Sequence, residues 1–328
     1  RDKKEVDTFS ELIKTQNILK IYKTINDVTK EISTLEDGVW INMINPSQEE
    51  LANIRLRYNI EESHLKAALD DEESPRIDVE DESTLFIIDV PIPFDDVTLE
   101  GSRIYGTVPI GIIIGEEAII TVSTQEVKLL NDFIKMRVKG FHTAKKTRII
   151  LQIMYKNATY YLFYLKQIDR LSESIQKELH KSMQNEELLQ LLSLEKSLVY
   201  FTTSLKANEV VFEKMMRLDV IKQYSDDKDL LEDVIIENKQ AIDMSQTYGN
   251  ILNGTMGVVG SIISNNLNIV MKVLTSLTII LAIPTIVASF MGMNVPVPLA
   301  DNPLGFLTII LITIVITAAF TLFMLKKK

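Results

Sequence analysis

The pattern of apolar and polar positions changes texture twice along the chain. Up to about residue 144, short apolar runs alternate with polar punctuation. Residues 39–45, 85–90, 104–114 and Ala118–Ser123 are β-prone apolar segments, which predicts strands, and Gly115-Glu116-Glu117 predicts a hairpin turn between the last two. Pro46-Ser47 opens the amphipathic stretch Gln48–Tyr58, with Ser47 placed to cap a helix. From Lys145 the period lengthens. Residues 145–180, 186–223 and 229–264 read as charged amphipathic helices with almost no Gly or Pro before Gly249. The third texture is uncharged: no Asp, Glu, Lys or Arg occurs from Val273 to Ala300, nor between Asp301 and Lys326.

Residues 273–290 and 304–325 are each long enough to cross a hydrocarbon core of about 30 Å as a helix. Gly292, Pro296, Pro298 and Pro303 interrupt the segment between them, so the expectation is a two-helix membrane hairpin with a short loop. Lys272 precedes the first span and Lys326-Lys327-Lys328 follow the second, whereas the loop has no Lys or Arg and the single acid Asp301. This asymmetry predicts a multi-pass protein of the cell membrane with both termini cytoplasmic. In the first span Thr275, Thr278, Ala282, Thr285 and Ser289 recur at steps of three and four, and the same face runs back through Met271 and Asn268. Small and hydroxyl residues on one face suit close helix packing. If several copies surround an axis, the same stripe lines a pore. A hairpin that only tethers a sensor or scaffold is the rival reading.

The domains expected are therefore 1–144, a cytosolic α/β domain; 145–264, helical; and 265–328, the membrane hairpin. Gly249, Gly254, Gly257 and Gly260 lie near the end of the helical part, where each costs roughly 1 kcal/mol against Ala in a helix interior. Close packing of several copies would account for them, and local fraying before the membrane is the alternative.

At 46 % hydrophobic and 24 % charged, the chain composition is that of a folded protein. A net charge of -10 argues against nucleic acid as a partner, because phosphate binding needs clustered Lys and Arg. Cysteine is absent, which excludes disulfides and thiolate metal sites. The first twelve residues are charged and lack the apolar core of a secretory signal, and a start at Arg1 suggests trimming. No Gly-rich phosphate loop or other enzyme signature is present, and no cofactor is expected. His64, His142 and His180 stand singly and are read as surface or packing residues. Acidic runs at 70–73, 78–82 and 226–233 are read as solvated faces, with divalent-ion binding as the less favoured alternative.

The segment 264–275, then Pro284-Thr285, then Met291-Gly292-Met293-Asn294, resembles the CorA family of divalent-cation channels. Asn45-Pro46-Ser47-Gln48-Glu49-Glu50-Leu51 and Pro75-Arg76-Ile77 are also similar to that family, less specifically. The resemblance implies an α+β cytosolic domain, an α/β sandwich with long stalk helices, then a transmembrane hairpin, all assembled as a homopentameric funnel in lipid. It implies passive, gated entry of Mg2+, with Co2+ or Ni2+ as further cargo, and places ion selectivity at Gly292, Met293 and Asn294. Magnesium gives up its waters reluctantly, so a ring of neutral amides can meet the hydrated ion and still release it. The family's pore face falls on Asn268, Met271, Leu274, Thr275, Thr278, Ala282, Thr285 and Ser289. Apart from Leu274, these are the residues of the stripe. Mg2+ would also act as the regulatory ion on acidic residues between subunits, for which Asp226, Asp227 and Asp229 are candidates because they cluster at a predicted turn.

The chain departs from the family at several positions. Met291 and Val295 replace aromatic residues around the triplet, and the outer loop lacks an acidic Met-Pro-Glu-Leu element. Gly257 stands where one branch has a regulatory acid, and Ala282 where a bulky gate is common, which leaves Met271 and Leu274 as the expected constriction. A zinc transporter of the ZntB kind shares the architecture but departs from Gly-Met-Asn. The intact triplet favours Mg2+.

Overall fold

The computed structural model describes residues 18–80, 82–94, 104–182, 185–218, 225–299 and 302–326. Strands β1 (Ile18–Ile25) and β2 (Val28–Ile32) pair antiparallel. Their two-residue turn, Asn26-Asp27, has φ of 50° and 61°, left-handed values that Asn and Asp tolerate and that suit a tight hairpin. Next come β3 (Val39–Ile44), helix α1 (Gln48–Tyr58) and the short α2 (Glu62–Ala67). β4 (Arg76–Val79), β5 (Ser83–Pro93), β6 (Tyr105–Gly115) and β7 (Ala118–Ser123) complete a seven-stranded sheet of order β2-β1-β3-β7-β6-β5-β4. Only β3 and β7 run parallel among its pairs.

Ser47 caps α1 as expected. Its Oγ accepts from Glu50 N at 3.2 Å while Ser47 N donates to the Glu50 carboxylate at 2.7 Å, so two otherwise orphaned donors are satisfied reciprocally. The turn after β6 falls where Gly115-Glu116-Glu117 predicts it, and the Lys146 ammonium donates to its carbonyls at Gly115 (2.7 Å) and Glu116 (2.5 Å).

Both faces of the sheet are covered. One carries α1 and α2 over a core that includes Ile41, Leu51, Ile54, Leu65, Ile87 and Ile120. The other packs against α3 (Lys128–Ile134), α4 (Lys146–Ser182), α5 (Asn185–Met215) and the start of α6 (Ser225–Met291), around Trp40, Phe86, Ile112, Phe133, Met154 and Phe212. A three-layer sandwich follows from strands that are apolar on both sides. The lock between sheet and helices sits at Asp89. β4 pairs with β5 only from Thr84 to Ile87, so Asp89 lies beyond the last partner residue. The Asn208 amide takes the place of the missing strand, accepting from Asp89 N at 2.9 Å and donating to Asp89 O at 2.8 Å.

Two compact units divide the chain, Arg1–Gly254 and Thr255–Lys328. The expected division at 144/145 is not a packing boundary, because α4 and α5 share their core with the sheet. The second unit begins before the expected 265. α6 runs for 67 residues without interruption through both the predicted third helix and the first span, with Pro284 inside it. α5 ends at Met215, earlier than the expected 223, and 219–224 lie outside the described residues. α7 (Gly305–Lys326) is the second predicted span.

Candidate ion path

The second unit consists of the end of α6, a loop and α7. Its two apolar stretches are long enough to cross a membrane, and neither is buried within the chain. Along α6 the positions Ser276, Ile279, Ile280, Ile283, Val287 and Met291 are half-buried, a 3.6-period face turned to the one other helix of this unit. Asn268, Met271, Leu274, Thr275, Thr278, Thr285 and Ser289 are exposed, and Ala282 is half-buried at the margin between the two sets. The centres of the two faces lie roughly 150° apart at 100° per residue. The predicted stripe thus points away from α7 and is covered by nothing in this unit.

Thr278 Oγ1 donates to Leu274 O at 2.9 Å and Thr285 Oγ1 to Leu281 O at 3.0 Å. Each hydroxyl has spent its only proton on its own helix, so the oxygen offers lone pairs outward. Outward lone pairs can accept from the water shell of a cation. Back-bonding alone does not mark a pore, however, since Thr313, Thr317 and Thr321 of α7 make the same bonds at 2.8, 2.8 and 2.7 Å. Those three are half-buried and line a groove of about 1050 Å3 against Pro284, Val287 and Met291 of α6. They form a helix-packing seam. Sequence reading missed this second row, although its i, i+4 spacing is visible.

α6 stops at Met291. Gly292 N still donates to Ala288 O at 3.0 Å, and a Cβ on Gly292 would lie 3.4 Å from that carbonyl, a close but tolerable contact. Met293 and Asn294 are exposed beyond the helix end. The return to α7 is built on a residue that sequence reading did not single out, Gly305. Leu299 adopts a left-handed φ of 73°, which turns its carbonyl so far inward that a Cβ on Gly305 would stand 2.2 Å from it. Asn302 holds the same corner, its side-chain oxygen accepting from Leu304 N at 3.0 Å and its carbonyl from Gly305 N at 2.8 Å. Asp301 lies outside the described residues, as do Lys327 and Lys328.

The candidate regulatory acids open α6, where carboxylates favour the positive end of the helix dipole. Asp227 is buried and paired with Arg148 at 3.1 Å, and the same guanidinium donates to Asp226 O at 3.0 Å. Asp226 and Asp229 are exposed. Gly249, Gly254, Gly257 and Gly260 meet no described atom within 4 Å of an added Cβ, so nothing in the single chain requires glycine there. His64, expected to be a surface or packing residue, is 1 % exposed and is grouped with Asp78 and Glu80.

Residues 35–327 match the profile of the CorA-like Mg2+ transporter protein family. The chain belongs to the CorA family. Its members are transporters of divalent cations rather than enzymes. This CorA-family chain is 29 % identical over 292 residues to the cobalt/magnesium transport protein CorA of Methanocaldococcus jannaschii, covering 86 % of this chain and 88 % of that one. The complete structure of the CorA magnesium transporter from the same organism superposes with a TM-score of 0.81 at 26 % identity, over 94 % of this chain and 97 % of the other. A ZntB cytoplasmic domain from Vibrio parahaemolyticus shares the fold at a TM-score of 0.57 and 10 % identity, covering 77 % of this chain and 99 % of that one. That likeness speaks for fold alone.

Proposed function

We propose that this CorA-family chain assembles as a homopentamer in the cell membrane and admits Mg2+ passively, with its termini in the cytoplasm and Gly292-Met293-Asn294 at the outer mouth. The observation that carries this reading is the orientation of the α6 stripe. Its amide, hydroxyl and thioether side chains face away from α7 and are exposed in the single chain, where further copies around an axis would enclose them. Glycines at 249, 254, 257 and 260, where an added Cβ meets no described atom within 4 Å, support the same reading, since they allow helices of neighbouring copies to approach. Asn294 presents neutral amide oxygens to the hydrated ion, and Met271 and Leu274 form the apolar constriction. A divalent ion moving through 100 mV into a negative interior gains about 4.6 kcal/mol, so no ATPase is needed. Closure by cytosolic Mg2+ falls to Asp226 and Asp229, with Asp227 already held by Arg148. The ion must bind the closed form more tightly to shift the gate.

Uptake by the purified protein in liposomes, compared for Mg2+, Co2+, Ni2+ and Zn2+, tests this reading. Mg2+ entry that follows the imposed potential is expected. Entry of Zn2+ alone would move the chain to the zinc-transporter reading, and entry of none would leave a non-conducting membrane anchor.

A further inference from the structure

Helix α2 turns His64 inward against the sheet, where its imidazole is 1 % exposed. Nδ1 lies 3.0 Å from the Ser83 hydroxyl at the start of β5. Nε2 is buried and has no hydrogen-bond partner among the described residues. Asp78 Oδ2 stands 3.8 Å from it, too far for a hydrogen bond. Asp78 belongs to β4, the edge strand of the sheet, and Glu80 follows two residues later in the turn closed by Glu80 N on Ser83 O at 3.0 Å. One ligand atom from each of the three side chains lies within 4.8 Å of the other two. Asp78 is half-buried and Glu80 exposed, so the cluster opens to solvent on one side.

With the ring proton on Nδ1, toward Ser83, the buried Nε2 facing two carboxylates is unfavourable on its own, because its lone pair confronts negative charge with no donor between them. A cation between them reverses this. Two ligands about 2.1 Å from one ion, at a tetrahedral angle, stand about 3.4 Å apart, close to the observed Nε2 to Oδ2 spacing. Nδ1–H donating to Ser83 would fix the ring with the Nε2 lone pair toward the carboxylates, the outer-shell arrangement metal-binding histidines use.

We propose that His64 Nε2, Asp78 and Glu80 form a binding site for a borderline divalent cation, Zn2+ or its neighbours Co2+ and Ni2+, at the sheet edge of the first unit. One nitrogen with two carboxylates suits these ions, whereas Mg2+ prefers oxygen ligands and retains its waters. With three protein ligands the remaining positions belong to water. The site ties α2 to β4 and to the β4–β5 turn. It uses none of the residues assigned to the transport path and does not depend on the function proposed above.

The test is equilibrium dialysis of the full-length protein against Zn2+ in a large excess of Mg2+, which occupies oxygen-only sites. Wild type is compared with the surface double variant Asp78→Asn/Glu80→Gln and with His64→Gln. Wild type should hold one Zn2+ per chain that the double variant binds at least ~10-fold more weakly, with unchanged circular dichroism. Thermal melting of wild type, and not of the double variant, should rise with Zn2+. Equal Zn2+ binding by both proteins would overturn the site. So would no retention by wild type, which would mean that a proton fills the gap, or displacement of Zn2+ by Mg2+ at equal concentration. Mg2+ uptake in Zn2+-free liposomes should match wild type in the double variant, so failure of this site and failure of the transport reading give different results.

Discussion

Asn294 carries no charge, yet it has the most selective task in the proposed path. A carboxylate there would bind a divalent ion strongly and release it slowly, whereas an amide offers an oxygen to the hydration shell without a net charge. Asn294→Ala should abolish Mg2+ uptake in liposomes while leaving the oligomer intact by native mass spectrometry. Uptake at the wild-type rate would remove Asn294 from selection. Asp89 presents a different residue-scale test. Burial pushes its carboxyl from 3.8 up to about 6, partly offset by the Ser204 hydroxyl donating to it at 2.5 Å. Because the folded value is raised, the protonated form is favoured by the fold. The stability Asp89 contributes is fully present below 3.8 and is lost as pH rises through about 6. Asp89→Asn mimics the protonated group. It should stabilise the protein by up to about 3 kcal/mol at neutral pH and flatten this part of the pH profile, read by urea melts at pH values on either side of the window. A destabilised variant with the same pH slope as wild type would show that Asp89 is not the titrating group.

At the scale of elements, the strands that announced themselves were those buried on both faces, β3, β5, β6 and β7. Each is a near-continuous apolar run, and periodicity needs nothing more. β2 and β4 gave no such signal. β2 (Val-Thr-Lys-Glu-Ile) is an edge strand with no buried position, and β4 (Arg-Ile-Asp-Val) is a four-residue edge strand whose pairing with β5 alone defines it. α2 and α3 are short and lack side-chain caps, so their boundaries left no mark in the sequence. The acidic run at 78–82 was visible in the sequence, but its meeting with His64 was not, since only the fold brings the His64 ring within 3.8 Å of Asp78 on β4. The α6 stripe, by contrast, was legible, because a helix places every third or fourth residue on one face whatever its surroundings. Gly305 was not, because its necessity comes from the Leu299 carbonyl across the loop. Gly305→Ala should therefore disrupt the corner and sharply reduce uptake, while Gly292→Ala should leave the fold of the single chain unchanged. Full transport by Gly305→Ala would show that the corner is dispensable.

For the whole molecule, one chain cannot enclose a path. The second unit exposes Leu277, Leu281, Ile286, Phe290, Phe306 and Leu311 to its surroundings, an apolar surface suited to lipid and to further copies. Native mass spectrometry in mild detergent should find a pentamer, and only monomers or dimers would contradict the assembly. Since these 328 residues contain no cysteine, the stripe can be probed one position at a time. Thr278→Cys places a thiol on the exposed face of α6 and Ile283→Cys on the face toward α7. The decisive measurement is Mg2+ uptake in liposomes before and after a positively charged, thiol-specific reagent is added to each variant. If the stripe lines the ion path, the reagent stops uptake through Thr278→Cys and leaves Ile283→Cys unaffected. Block of Ile283→Cys with Thr278→Cys untouched would place the path on the opposite face of the helix and contradict the proposed channel.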